Sequence, residues 1–268
     1  MYARLTAIHD RLLRADENIE EIRGALRVFH GSDAYNLRAE LDLDDDQGLH
    51  LLGALIPPPL RVFTLVGDIL HELRSALDHL AWQMVRENGG EPDDSTYFPI
   101  LPVPRDAPQK GPNRGKHPLP NVQGGVSDAA RAVLEEAQPY KWGDDYAKHP
   151  FWVLNWLNIR DKHRHIAIRG VDMTNIVVGV GLRPLGAFTM TVRTLGASEH
   201  GAECEFVPDD SEVDVKVTGT LQVSFHEIAG GPKRPLFETI TQMRDAVWEV
   251  FRDAEARCFP ATFDMNPP

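Results

Sequence analysis

A chain of 268 residues, 42% hydrophobic and 25% charged, is long enough to bury a full core in one large domain. Its 28 basic against 40 acidic residues leave a net charge of −12, which repels polyanions at long range; DNA is not an expected partner, and any nucleic acid would need a local basic patch. The N-terminus is charged throughout, no apolar run approaches the roughly 20 residues of a membrane span, and Cys204 and Cys258 are too few for a disulfide framework, so a cytoplasmic protein with no membrane partner is expected. Whether the two cysteines pair stays open.

Apolar residues from Leu5 through Ile8, Leu12, Ala15, Ile19, Ile22 and Leu26 to Phe29 recur alternately three and four apart, the spacing of one face of a long amphipathic helix. Alternation at Tyr35, Leu37, Ala39, Leu41 and Leu43, an acidic turn at 44–48, and renewed alternation at Leu49 and Leu51 predict a β-hairpin. After Pro57-Pro58-Pro59 the stripe Phe63, Val66, Leu70, Leu73, Leu77, Leu80 and Met84 predicts a second long helix that stops at Asn88-Gly89-Gly90. Residues 91–125 hold many prolines and glycines and no periodicity, which predicts a long irregular loop with "YFPILPVP" lying against something apolar. Ser127 suits the N-cap of a short helix through Ala137, and a second short helix starts near Pro150.

From about His165 to Ile228, six segments rich in β-branched residues and separated by turn residues predict an antiparallel meander. The chain closes on a helical stripe at Ile240, Met243, Val247, Val250, Ala254 and Cys258. The expected fold class is therefore α+β in a single domain over 1–268. It comprises an antiparallel bundle of long helices (about 1–163 plus 235–258), an N-terminal β-hairpin, and a C-terminal β-meander (about 165–228) closed by the final helix.

Two polar clusters stand out. On the second long helix Arg74, Asp78, His71, Trp82, Ser75 and His79 fall within an arc of about 140°, opposite the leucine stripe. Such a face is either a set of surface ion pairs with a partly exposed indole, or a polar pocket in which a carboxylate orients a histidine and an arginine binds an oxyanion. In "NWLNIRDKHRH", Asn155, Asn158 and Lys162 share one arc, while Asp161, His163 and His165 crowd the helix end, beside Trp152 and Trp156. Helix capping accounts for that set, and so does a binding cleft shared with the first cluster. "QPYKWGDDYAKHP", with Gln138, Tyr140, Trp142, Asp144 and His149, reads as a packed loop or as a lid over that cleft. Arg105 to Gly115 with Lys116 and His117 is the one concentrated basic segment, either a phosphate contact or solvated linker. No metal is expected, since helical rise separates His71 from His79 by about 12 Å, and no cofactor, since "GVGLRPLG" lacks a strand-to-helix context.

The run from Arg74 to His79 resembles the R-x4-6-H signature of HEPN domains. That resemblance implies a helical bundle in which Arg74 and His79 cleave RNA without metal across a homodimer interface, His79 moving a proton and Arg74 stabilising the charged phosphate. Ser75 departs from the Asn, His or Asp often found after the arginine, and those domains are typically shorter and lack a large C-terminal β segment. Over roughly residues 60–168 the chain also resembles a group of bacterial proteins sharing "LRSALDHLA", "FPI", "QPY" and "DKHR" segments, which brings no activity with it. Three readings stay open: chemistry on RNA or a small phosphorylated ligand at Arg74, Asp78 and His79; a non-enzymatic module that binds a small molecule or a protein; and a metal-dependent enzyme using His and Asp of both clusters.

Overall fold

The computed structural model describes residues 3–31, 35–42, 48–55, 58–102, 122, 125–163, 168–183, 186–195, 203–205, 212–225, 228 and 234–259. Three long helices form the body. Helix α1 (Ala3–Gly31) buries its whole predicted stripe, with no member from Leu5 to Phe29 more than 8% exposed. After the hairpin strands β1 (Tyr35–Asp42) and β2 (Gly48–Leu55) comes helix α2 (Leu60–Glu87), which runs antiparallel to α1. Two ion pairs report that register: Arg11 Nη1 lies 2.7 Å from Glu72 Oε2, and Arg61 holds both carboxylate oxygens of Glu21 at 2.7 and 3.0 Å. Each leucine or isoleucine buried between the two helices contributes about 1.5–3 kcal/mol, so the stripes rather than these pairs hold the helices together.

Helix α2 ends where Gly89 takes φ +78°, a left-handed conformation that costs glycine nothing. That turn lets the Gly90 N–H donate to Val85 O at 2.9 Å and the Gly89 N–H to Arg86 O at 3.1 Å, which satisfies two terminal carbonyls. Short helix α3 (Asp128–Glu136) starts as expected at Ser127, whose Oγ accepts from the Ala130 N–H. A 3-10 segment (Pro139–Lys148) and helix α4 (Pro150–His163) follow. The last helix, α5 (Leu236–Cys258), returns to the bundle and touches α1, α2, α3 and α4. Its side-chain links to α1 include a polar one: Trp248 Nε1 donates to Asp16 Oδ2 at 3.1 Å, with Arg244 Nε 3.5 Å from the other carboxylate oxygen, and the Trp248 ring meets His9 edge-on. No helix among the described residues is long and apolar enough to cross a membrane.

The expected fold class needs correction, because the described residues are predominantly helical and the strands described after α4 form no meander. Strands β3 (Ile168–Arg183), β4 (Gly186–Leu195), β6 (Glu212–Phe225) and β7 (Arg234–Pro235) pair in the order β4-β3-β6-β7, while β5 (Glu203–Glu205) leaves them to pair with β2. Six short strands were expected because polar and glycine residues interrupt the β-branched runs. Across Asp172–Asn175, however, the backbone stays extended, absorbing the interruption as a register shift between Thr174 and Val177 instead of a turn. Two pairs of expected short strands therefore merge into the long strands β3 and β6, which pair with each other at the centre of the sheet, while β4 and β7 take the outer edges and the consecutive order of a meander is lost. Only the end of β6, where Val223 and Phe225 are buried and Ser224–Phe225 pair with Arg234–Pro235, carries described side chains into the helical core. The predicted hairpin does form, from Tyr35 opposite Leu55 to Asp42 opposite Gly48.

Candidate functional site

One turn of α2 brings Arg74 and Asp78 side by side, with Nη2 2.7 Å from Oδ1. Both groups then reach the same residue in the loop: Arg74 Nη2 donates to Phe98 O at 3.0 Å, and the Phe98 N–H donates to Asp78 Oδ1 at 3.0 Å. A polar clasp therefore satisfies both backbone groups of a residue whose ring is fully buried edge-on against Phe151. Three residues on, a second clasp closes. The Gln138 side chain, 1% exposed, donates from Nε2 to Pro99 O at 3.0 Å and Leu134 O at 2.6 Å, and its Oε1 accepts from the Leu101 N–H at 3.0 Å. The Tyr140 N–H donates to Leu101 O at 3.2 Å. The "LRSALDHLA", "FPI" and "QPY" segments thus meet in one place, with Phe98 to Leu101 threaded between two sets of side-chain partners that act as a neighbouring strand would.

Burial sets the electrostatics here. It raises the Asp78 carboxyl above the usual carboxylate range, against the opposing pull of Arg74, the Phe98 amide, Lys162 and His79. It also lowers the Arg74 guanidinium, against the attraction of Asp78. At both partners burial opposes the charged form more than the other's charge favours it, so the pair is weak evidence of stabilisation by itself. Arg74 Nη1 is buried and has no hydrogen-bond partner among the described residues.

The other predicted residues divide. Lys162 sits close enough for its charge to act on Asp78, and the Asp161 carboxylate lies over Gly67, so α2 and the end of α4 do meet. A Cβ added at Gly67 would lie 3.1 Å from Asp161 Oδ2, a contact the flexible carboxylate can relieve. Gly67→Ala is therefore expected to raise stability by about 0.5 kcal/mol, a helix-propensity gain of about 1 kcal/mol less the cost of moving Asp161; Gly67→Leu should lower it, and thermal melts of the two variants check the order. Asn158 is buried, and Asn155 and Ser75 are partly so, whereas His71, His79 and Trp82 lie exposed. The His79 imidazole is lowered first by desolvation and then by Arg11, with Asp78 and Glu72 opposing. Trp156 carries the Arg160 guanidinium on its ring at 4.3 Å, and Trp152 meets Tyr146 edge-on at 5.3 Å, so each α4 indole has its own partner. The His163 side chain, His165, and the basic stretch from Arg105 to His117 fall outside the described residues.

Two contiguous grooves open elsewhere, between the 3-10 segment and α5. The larger, about 750 Å³, is lined by Trp142, Ile228, Arg234 and Pro235 and by the α5 face bearing Glu238 and Asp245. The smaller, about 550 Å³, adds His149, Glu136 and Asp253; Trp142, Pro150, Ala246 and Glu249 line both. The Trp142 indole is 50% exposed and stands edge-on to His149 with ring centroids 4.8 Å apart. Next to it Gly143 takes φ +58° and ψ −129°, a kink that an L side chain resists, and this splits the 3-10 segment in two. His149 is in turn the cap of α4: its Nδ1 accepts from the Phe151 N–H at 3.2 Å.

The lid reading of "QPYKWGDDYAKHP" names Trp142 and His149 but puts them over the cleft of the two polar clusters, whereas they line grooves along α5. Glu238 and Glu249 carried no signal, because on the polar face of an amphipathic helix they look like any solvated charge. Comparison with protein-family models, curated proteins and solved structures finds no match, so no function passes to this chain from a relative.

Proposed function

We propose that this protein is a non-enzymatic binding module whose recognition surface is the double groove along α5. The observation that carries this reading is Trp142, a half-exposed indole at the junction of two grooves totalling more than 1,000 Å³. A large amphipathic ring left in water beside carboxylates is the composition of a recognition site rather than of a core. Arg74 and Asp78 contribute support, because a pair committed to the Phe98 peptide is withdrawn from chemistry. A cytoplasmic location belongs to the same reading.

Phosphate chemistry on RNA at Arg74 and His79 is the second reading. It keeps one observation, the unpartnered Nη1 of Arg74. One experiment separates the two. With chelator present, the wild type is expected to leave a mixed RNA substrate intact, Arg74→Ala to melt well below wild type, and His79→Ala to melt close to it. Cleavage that falls by roughly 10²–10⁴-fold in His79→Ala at unchanged stability would establish the second reading instead. A panel of cationic, neutral and anionic fragments, followed by the indole N–H signal of Trp142 in NMR spectra, tests the groove. Selective movement of that signal is expected with at least one class, and its indifference to all of them would contradict the module.

A further inference from the structure

The grooves have a direction and a charge. Glu238, Gln242, Asp245, Glu249 and Asp253 succeed one another at spacings of four, three, four and four, so they form a single row on α5 about 22 Å long by helical rise. Beneath the row the floor is apolar: Ile228, Pro235, Ala246 and Pro150, with Trp142 standing between the two halves. Most charges along it already have partners. Arg257 holds Glu136 and Asp253 at 2.7 and 2.9 Å, Arg244 lies 3.2 Å from Asp245, and Lys148 pairs with Asp145 at 2.7 Å. Arg234 stands at one end, its guanidinium lowered by burial and 3.5 Å from Lys148 O. Among the described residues Glu238 accepts only from the neutral Gln242 amide, and Glu249 has no ion-pair partner. Two uncommitted carboxylates therefore flank an exposed indole over an apolar floor, about 16 Å apart along the helix.

Resting on the reading of the groove as a recognition surface, we propose that it binds an extended basic segment of a partner protein, with one Lys or Arg on Glu249 and another on Glu238. Lysine and arginine match this surface better than a compact ammonium does. Their alkyl stems cover apolar floor while their charged heads reach carboxylates, and a cation over the indole face gains further attraction. The 16 Å between the two glutamates corresponds to about five residues of extended chain, which specifies two basic residues separated by four others. The protein's net charge of −12 draws such a segment in and repels nucleic acid. An open trough longer than a small ligand suits a peptide laid along it.

The test uses the full chain and a synthetic, otherwise uncharged Ser/Ala peptide with blocked ends carrying Lys at its second and seventh positions, titrated at low and at physiological salt. The Trp142 indole N–H signal should shift saturably, with binding weakening as salt rises. Glu249→Gln should weaken it about tenfold by the same signal, and Trp142→Ala, which lacks the reporter ring, should weaken it about tenfold by calorimetric titration; both residues sit on the surface, and melting curves verify that the variants fold. A peptide with Lys replaced by Glu should not bind. If the lysine peptide leaves the Trp142 signal unmoved while neutral or anionic fragments shift it, the groove is a recognition surface but this proposal is overturned. If no probe of any class shifts it, the module reading fails as well. Spermidine binding as tightly as the peptide, on the same residues, would overturn the peptide in favour of a small polyamine.

Discussion

Gln138→Ala lowers the stability of this protein by about 3 kcal/mol, the largest effect expected of any single substitution at the polar clusters. Its side chain is 1% exposed and makes three hydrogen bonds, so truncation leaves the Leu101 N–H and the carbonyls of Pro99 and Leu134 without partners and opens a void beside them. Each buried group left unpaired costs about 1–3 kcal/mol, and partial relaxation keeps the sum below their total. For a chain of this size the melting temperature should fall by roughly 6–12 °C. Gln138→Glu should do no better, because a carboxylate cannot donate to the two carbonyls that Nε2 serves. Asp78→Ala, which strips the Phe98 N–H of its acceptor and leaves Arg74 without its counter-ion, should cost about 2 kcal/mol. The double variant should cost less than the sum. Both side chains hold the same short segment, and once one clasp opens the other has less ordered backbone to grip. Chemical denaturation of the four proteins checks this, and strict additivity would mean that the clasps act on separate structures.

His149 gives the second large effect, through pH. Burial holds its imidazole down to about 4 from the usual 6.5, and the neutral ring caps α4 by accepting from the Phe151 N–H. Because the folded-state pKa is depressed, the proton binds preferentially to the unfolded chain. The contribution of His149 is therefore complete above about pH 6.5 and is lost as pH falls toward 4, where protonation also removes the acceptor of the cap. Allowing for water that reaches the ring from the groove, the loss is about 2 kcal/mol. Asparagine caps helices well and does not titrate in this range, so His149→Asn should lose correspondingly less stability between pH 7 and pH 4 than wild type. Denaturant titrations at the two pH values decide it. Equal losses in both proteins would mean that the ring is solvated and no cap.

The helices were legible in the sequence because their burial is periodic. Every residue of the α1 stripe is in the core, and Ser127 and Pro150 mark helix starts through local chemistry that needs no distant partner. Strand existence was legible for the same reason. Strand pairing was not, because it depends on which runs join: nothing local in Asp172–Asn175 distinguishes an extended irregularity from a turn, and the departure of β5 toward β2 is a long-range choice. At the polar face of α2 the Arg74–Asp78 pair was legible from its i,i+4 spacing. Its real partner was not, since Phe98 is recognised by its backbone groups, which every residue carries. The same applies to Gln138, whose three partners are all main-chain atoms. Trp142 and Glu249 meet only because α5 returns to lie beside the 3-10 segment.

Amide hydrogen exchange at Phe98 and Leu101 tests most directly whether the polar face of α2 is a backbone clasp. In the described structure each of these N–H groups has a side-chain acceptor, Asp78 for one and Gln138 for the other. Both should exchange slowly, in step with the interior amides of α2, and Asp78→Ala and Gln138→Ala should each release their own amide first. Exchange of Phe98 and Leu101 at unfolded-chain rates, while α2 stays protected, would contradict the clasp and return Arg74 and Asp78 to the open choice between catalysis and binding.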